Sequence, residues 1–152
     1  VVETLLGRDD ICPDKPDGYS KTPLCCAAIN GHEEVVKLLL GRGGIGPNKS
    51  DIDSQTPLWR SAANGQEGFV KILLGRDDAD LNKSDIDRAT PLWRAAWNGH
   101  EGVVKILLAR DDVNPDKQDN SGRTPLSSAY EWSHAGVIAL LQPPVFTTPS
   151  TA

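Results

Sequence analysis

The 152-residue sequence has no methionine, three cysteines, two phenylalanines and two tyrosines. Three cysteines is a small, odd number for a disulfide scaffold, and the adjacent Cys25 and Cys26 are awkward to pair with each other. That usage suits a reducing compartment, so a cytoplasmic location is expected. A long apolar run is also missing. Runs such as Val137-Ile138-Ala139-Leu140-Leu141 fall far short of the roughly 18 residues of a membrane span. Val1-Val2-Glu3 opens no basic region followed by an apolar stretch, so no secretory leader is visible. There is no excess of basic charge either. Sixteen Lys and Arg lie among twenty-one acids, for a net charge of −5 and a pI near 5.1, whereas a nucleic-acid binder needs a basic stripe. Neither a membrane nor a nucleic acid is expected as a partner. With no methionine even at position 1, the chain is expected to be cut from a longer one.

What the sequence does have is a globular composition, 38% hydrophobic and 24% charged, and a period. Thr-Pro-Leu recurs at Thr22, Thr56, Thr90 and Thr124, always 34 residues apart. Residues 51–84 and 85–118 agree at 22 of 34 positions. The register divides the chain into three full units, 17–50, 51–84 and 85–118. Residues 1–16 read as the second helix and finger of a truncated preceding unit. Residues 119–142 read as a capping unit, because Trp132-Ser133-His134 replaces Asn-Gly-His and Pro143-Pro144 stops the helix. A flexible tail, 143–152, is expected to follow. Leu5 and Leu6 would then lie on an uncapped edge.

One unit can be read from its chemistry. Thr90 is a good N-cap, and Pro91 suits the first helical position, where no N–H is needed. Leu92, Ala95 and Ala96 give the first helix a narrow apolar face. Asn98-Gly99 ends it, the glycine taking a left-handed conformation. A second helix follows, with Glu101 in its first turn, an apolar set from Val103 to Leu108, and Arg110 near its negative end. Residues 111–118, with Pro115, form an extended connector. A pair of helices this small buries its apolar face only by stacking on neighbours.

Thr-Pro-Leu on the first helix, Asn-Gly-His before the second (Asn30-Gly31-His32, Asn98-Gly99-His100) and Val-Val-Lys-x-Leu-Leu within it resemble the ankyrin repeat over residues 1–142. The resemblance implies an all-α solenoid of helix-turn-helix pairs joined by finger loops. The period of 34 in place of 33, with a longer finger, is similar to the arrays of fungal NACHT–ankyrin (NLR-like) receptors of innate immunity. That likeness implies the recognition part of a larger intracellular receptor.

Chemistry is scarce. Asp112, Asn114 and Asp116 have the 1-3-5 spacing of a calcium loop, but Lys117 and Arg123 stand where glycine and glutamate belong. The acids are expected to solvate a finger, and no metal is expected. His32, His100 and His134 fall one per unit and cannot gather ligands; in ankyrins this residue ties the turn between neighbouring repeats. Cys25 and Cys26 precede an alanine pair with no basic partner near in sequence, so a structural role is expected. With no phosphate-cradling loop and no nucleophile motif, neither catalysis nor a cofactor is expected.

Differences between units mark candidate contacts. The finger tips vary: Gly18-Tyr19-Ser20-Lys21, Ile52-Asp53-Ser54-Gln55, Ile86-Asp87-Arg88-Ala89 and Asn120-Ser121-Gly122-Arg123. The first-helix rows vary too: Cys25/Trp59/Trp93/Ser127, Cys26/Arg60/Arg94/Ser128 and Ile29/Ala63/Trp97/Glu131. In ankyrin families these rows face the concave side, where partners dock. Tryptophan and arginine dominate interface hot spots. The expected partner-binding set is therefore Trp59, Arg60, Trp93, Arg94 and Trp97 with Tyr19, Lys21, Asp53, Gln55, Asp87, Arg88 and Arg123. Two readings compete for Trp59 and Trp93: contact with a partner, or a wedge under the neighbouring finger. The function expected is a non-catalytic module that grips a protein, the chain itself a monomer. The alternative is a spacer or scaffold that self-associates through the uncapped N-terminal edge.

Overall fold

A computed structural model describes residues 12–142 apart from position 43. The expected helix at the start of the chain, with Leu5 and Leu6, and the tail 143–152 lie outside the described residues. Within them the chain forms eight helices and no strand: α1 (Pro23–Asn30), α2 (Glu33–Gly41), α3 (Pro57–Ala63), α4 (Glu67–Leu74), α5 (Pro91–Trp97), α6 (Glu101–Leu108), α7 (Pro125–Glu131) and α8 (Ala135–Leu141).

Each first helix starts for the same reason. Thr22, Thr56, Thr90 and Thr124 stay extended and accept a hydrogen bond from the N–H three residues on, at 3.1–3.2 Å, with proline next. The turn after it needs a left-handed residue, supplied by Gly31, Gly65 and Gly99 and, in the last unit, by Ser133 at φ 58°. The first helices α1, α3, α5 and α7 stack side by side, and α2, α4, α6 and α8 form a second layer behind them. Leu24, Leu58, Leu92, Val36, Val70 and Val104 fill the space between the layers, each full burial worth about 1.5–3 kcal/mol. Helix α8 buries only Val137, and Leu140 is exposed.

Side chains stitch the units together. His100 and His134 set Nε2 3.0 Å from the Ala63 and Trp97 carbonyls of the preceding first helix, the tie that the resemblance implies. Arg76 and Arg110 fork onto Asp78 and Asp112 while Nη1 reaches the Leu40 and Leu74 carbonyls, a cation at the negative end of the preceding second helix.

The connectors carry a clamp. Asn48 donates to the Asp78 carbonyl and accepts the Asp80 N–H, and Asn82 does the same with Asp112 and Asn114. Lys83 and Lys117 close it on the Asn48 and Asn82 carbonyls. The calcium-like spacing of Asp112, Asn114 and Asp116 thus belongs to an inter-repeat joint. One unit departs from it. Asp14 stands one period before Asn48, accepts the Gly46 N–H and pairs with Lys49, but its Oδ1 is buried without a partner among the described residues. A carboxylate cannot donate where the asparagines do. Asp14→Asn is therefore expected to stabilise the fold by about 1 kcal/mol, read as a higher denaturation midpoint at unchanged slope.

Candidate partner-binding face

Every finger is built around one aspartate. Asp17, Asp51, Asp85 and Asp119 each accept the N–H groups of the residues two and four positions on, which closes a three-residue hairpin. Its third residue is left-handed: Ser20, Ser54, Arg88 and Gly122, at φ between 58° and 74°. The fingers join one another through the N–H groups of Ile52, Ile86 and Asn120, which donate to the carbonyls of Tyr19, Asp53 and Asp87.

Beneath the fingers runs a ladder of guanidinium groups and indoles. Arg60 and Arg94 lie 5.9 and 4.8 Å from the Trp59 ring, Arg94 and Arg123 each 5.3 Å from Trp93, and Arg123 4.9 Å from Trp97. Trp97 stacks on Trp93 at 5.1 Å and 17° and meets Trp132 edge-on at 5.1 Å. Such geometry suits both cation–π and aromatic contact.

The ladder decides between the two readings of the tryptophans. Trp59 and Trp93 are 4% and 2% exposed, and their indole N–H groups donate to the finger carbonyls of Ala89 and Arg123 at 3.0 and 2.9 Å. They wedge under the next finger with their rings buried, as the second reading expects, where the contact reading expects exposed rings. The physical reason is that a buried indole must satisfy its N–H, and the next hairpin presents a carbonyl directly above it. Cys25 takes the same row in the first unit and points its thiol at the Lys49 carbonyl, 3.6 Å away. Burial pushes that thiol above its ordinary pKa, so Cys12 and Cys26, both exposed, are expected to react with a thiol reagent in the native state. Cys25 is expected to react only on unfolding. Rapid labelling of all three would contradict this packing.

Of the other expected contacts, Trp97, Arg60, Arg94 and Arg123 are half-buried, and Asp87 and Arg88 are exposed on the third finger. Tyr19, 63% exposed, carries Lys21 over its ring at 5.5 Å; Asp53 and Gln55 are half-buried on the second finger. The structure gathers Asp87, Trp93, Arg94, Trp97 and Arg123 around one recess of about 340 Å³, with Asn120 and Ser121 on its rim. Arg60, Arg88, Tyr19, Lys21, Asp53 and Gln55 do not line it. Ile52 and Ile86, 60% and 59% exposed at the finger tips, join the face without having been singled out. Their exposure follows from the hairpin, which turns its first loop residue outward.

The anchoring aspartates were also missed, although they stand unchanged in all four units at the period of 34. Their environments differ. Burial is the largest influence on Asp85, whose cation Arg94 stays 3.6 Å away, and its carboxyl is held above the usual range. Burial also opposes the charge of Asp119, but the Arg123 and Ser121 N–H groups and the Arg123 guanidinium outweigh it and hold the carboxyl low. A lowered folded pKa contributes stability above the unfolded value near 3.9, and that stability is lost as pH falls through the folded value. Asp119→Asn is therefore expected to lower stability at pH 7, and the deficit to close below about pH 4. For Asp85 the sign reverses. Its charge is a net cost above its folded pKa, so Asp85→Asn is expected to leave stability at pH 7 unchanged or raised. Denaturant midpoints at pH 7 and pH 3 check both.

Thr-Pro-capped first helices, left-handed turns and histidine ties at a fixed period, with hairpin fingers between pairs, are one repeated design, and the comparison with protein families agrees. Ankyrin repeats (3 copies) match residues 1–85 and 78–146. The chain belongs to the ankyrin-repeat family. It is an all-α ankyrin solenoid, and ankyrin repeats are as a rule protein–protein interaction modules and typically non-catalytic. No helix among the described residues is long and apolar enough to cross a membrane. A search of curated proteins finds no match.

Proposed function

We propose that this ankyrin array is a recognition module that grips a protein partner through the face made by its first helices and fingers. The observation that carries the reading is a frame that repeats while its presented groups change. The caps, turns and anchoring aspartates recur at 34 residues, with histidine at the tie position in three of the four units and Gln66 in the other, whereas Tyr19, Asp53, Asp87 and Ser121 occupy one finger position in turn. Large, rigid, partly exposed side chains are concentrated there, the kind that lose little entropy on binding. The 34-residue register supports placing the array in a larger, cytoplasmic receptor-like protein of the NACHT–ankyrin kind. The free cysteines fit such a compartment.

The test is affinity capture from a lysate of the source organism, with the wild-type array against Arg94→Ala/Trp97→Ala at matched helicity. Trp93 is left in place because it supports the fold. A protein held by the wild type and lost by the variant is the expected result. Equal capture by both would move the site off this face. Capture by neither, with a solution mass that grows with concentration, would favour a self-associating scaffold.

A further inference from the structure

The three arginines of the ladder differ in how much of their hydrogen-bonding capacity is used. Arg60 gives Nε and Nη2 to Asp51 at 3.1 and 2.5 Å, and Arg123 gives Nε to Asp119 and Nη1 to Glu131 at 2.9 and 3.3 Å. Arg94 makes no side-chain hydrogen bond among the described residues. Its Nη2 stands 3.6 Å from Asp85, and its Nε–H is buried with no acceptor. Its guanidinium carbon lies 4.8 Å from the centre of the Trp59 ring and 5.3 Å from that of Trp93. Asp85 is meanwhile occupied by the N–H groups of Asp87 and Ala89. The side chain remains 25% exposed and lines the recess with Trp97, Asn120 and Ser121.

Resting on the recognition-module reading, we propose that this recess receives one carboxylate of the protein partner, an Asp or Glu side chain taken by the Nη groups of Arg94. A guanidinium presents a planar fork that matches a carboxylate in two hydrogen bonds. Here the guanidinium already packs beside two indoles, so less freedom is lost when it binds. The recess, about 340 Å³, holds a single side chain, and the amide of Asn120 and hydroxyl of Ser121 supply polar groups at its mouth. Its two acids differ. Asp119 is neutralised by Arg123. Asp87, exposed on the rim, has no cation among the described residues and opposes an incoming anion. The pocket is therefore tuned below its full strength.

The test is selection of random peptides displayed on phage against the full chain, followed by affinities for Asp87→Asn and Arg94→Gln. Enriched peptides are expected to share an Asp or Glu. Replacing that acid by its amide, or Arg94 by Gln, is expected to weaken binding at least about thirtyfold. Asp87→Asn is expected to tighten it about two- to fivefold. This last variant changes an exposed finger residue and raises affinity, so a folding defect in Arg94→Gln cannot imitate the result. Peptides that share a basic or purely apolar residue, or acidic ones indifferent to Asp87→Asn and to loss of their own acid, would overturn the carboxylate site and leave the recognition module standing. No enrichment at all would overturn the site and count against the module as well.

Discussion

Trp93→Ala is expected to cost about 3–5 kcal/mol of folding stability. Trp97→Ala, four residues on and on the same helix face, is expected to cost about 1–2 kcal/mol. The difference lies in what each ring supports. Trp93 is 2% exposed, donates to the Arg123 carbonyl and lies 5.3 Å from both Arg94 and Arg123. Its removal leaves a cavity under the fourth finger and takes from the Arg123 carbonyl one of its two donors, the other being the Asp119 N–H. Trp97 is half-buried and loses contact with Trp93, Trp132 and Arg123, all of which keep other neighbours. Urea midpoints at constant slope measure the two losses. Equal losses would mean that the ring of Trp93 does not carry the finger.

A second large effect is expected at a turn. Gly99 is left-handed at φ 71°, and a Cβ built there would stand 2.6 Å from His134 Nδ1. Gly99→Ala therefore meets two costs. The left-handed backbone costs about 1–2 kcal/mol for a residue with a Cβ. Displacing the imidazole removes its contact with the Trp97 carbonyl, about 1 kcal/mol more. The total is about 2–3 kcal/mol. Gly122 provides the control. It has φ 74° with nothing near a built Cβ, and the fingers before it place Ser20, Ser54 and Arg88 at the same point. Gly122→Ala is expected to cost only the backbone share, about 1–2 kcal/mol. If the two substitutions cost the same, the histidine tie contributes nothing to the joint between units.

These expectations show which part of the molecule could be read from its residues. Thr-Pro, Asn-Gly and the apolar spacing are local signals, and each does locally what its chemistry predicts: Thr90 caps, Gly99 turns left-handed, and Val104 and Leu107 face inward. The role of Trp59 and Trp93 was not legible in the same way. Helical spacing places them on the first-helix face, but only the stacking of the next unit puts a carbonyl over each indole. The half-burial of Trp97 was not legible for a similar reason. Its row varies from Ile29 to Glu131, yet Trp132, from a row not considered, closes over its edge. Asp51, Asp85 and Asp119 carried a signal that went unused. Their constancy across units was as clear as that of Thr-Pro-Leu, but acids in a loop read easily as solvation. In the fold they are the buried anchors of the fingers.

The central claim is that the partner meets the fingers and first helices and not the outer layer. A photo-cross-linking amino acid placed at Ile86, an exposed finger tip, or at Lys105, exposed on α6, tests it directly. Each variant would be irradiated in lysate and its adducts resolved by mass. A discrete adduct from position 86, abolished by excess unlabelled array and absent from position 105, is the predicted result. A discrete adduct from position 105 alone would place the partner on the opposite side of the molecule and contradict the account.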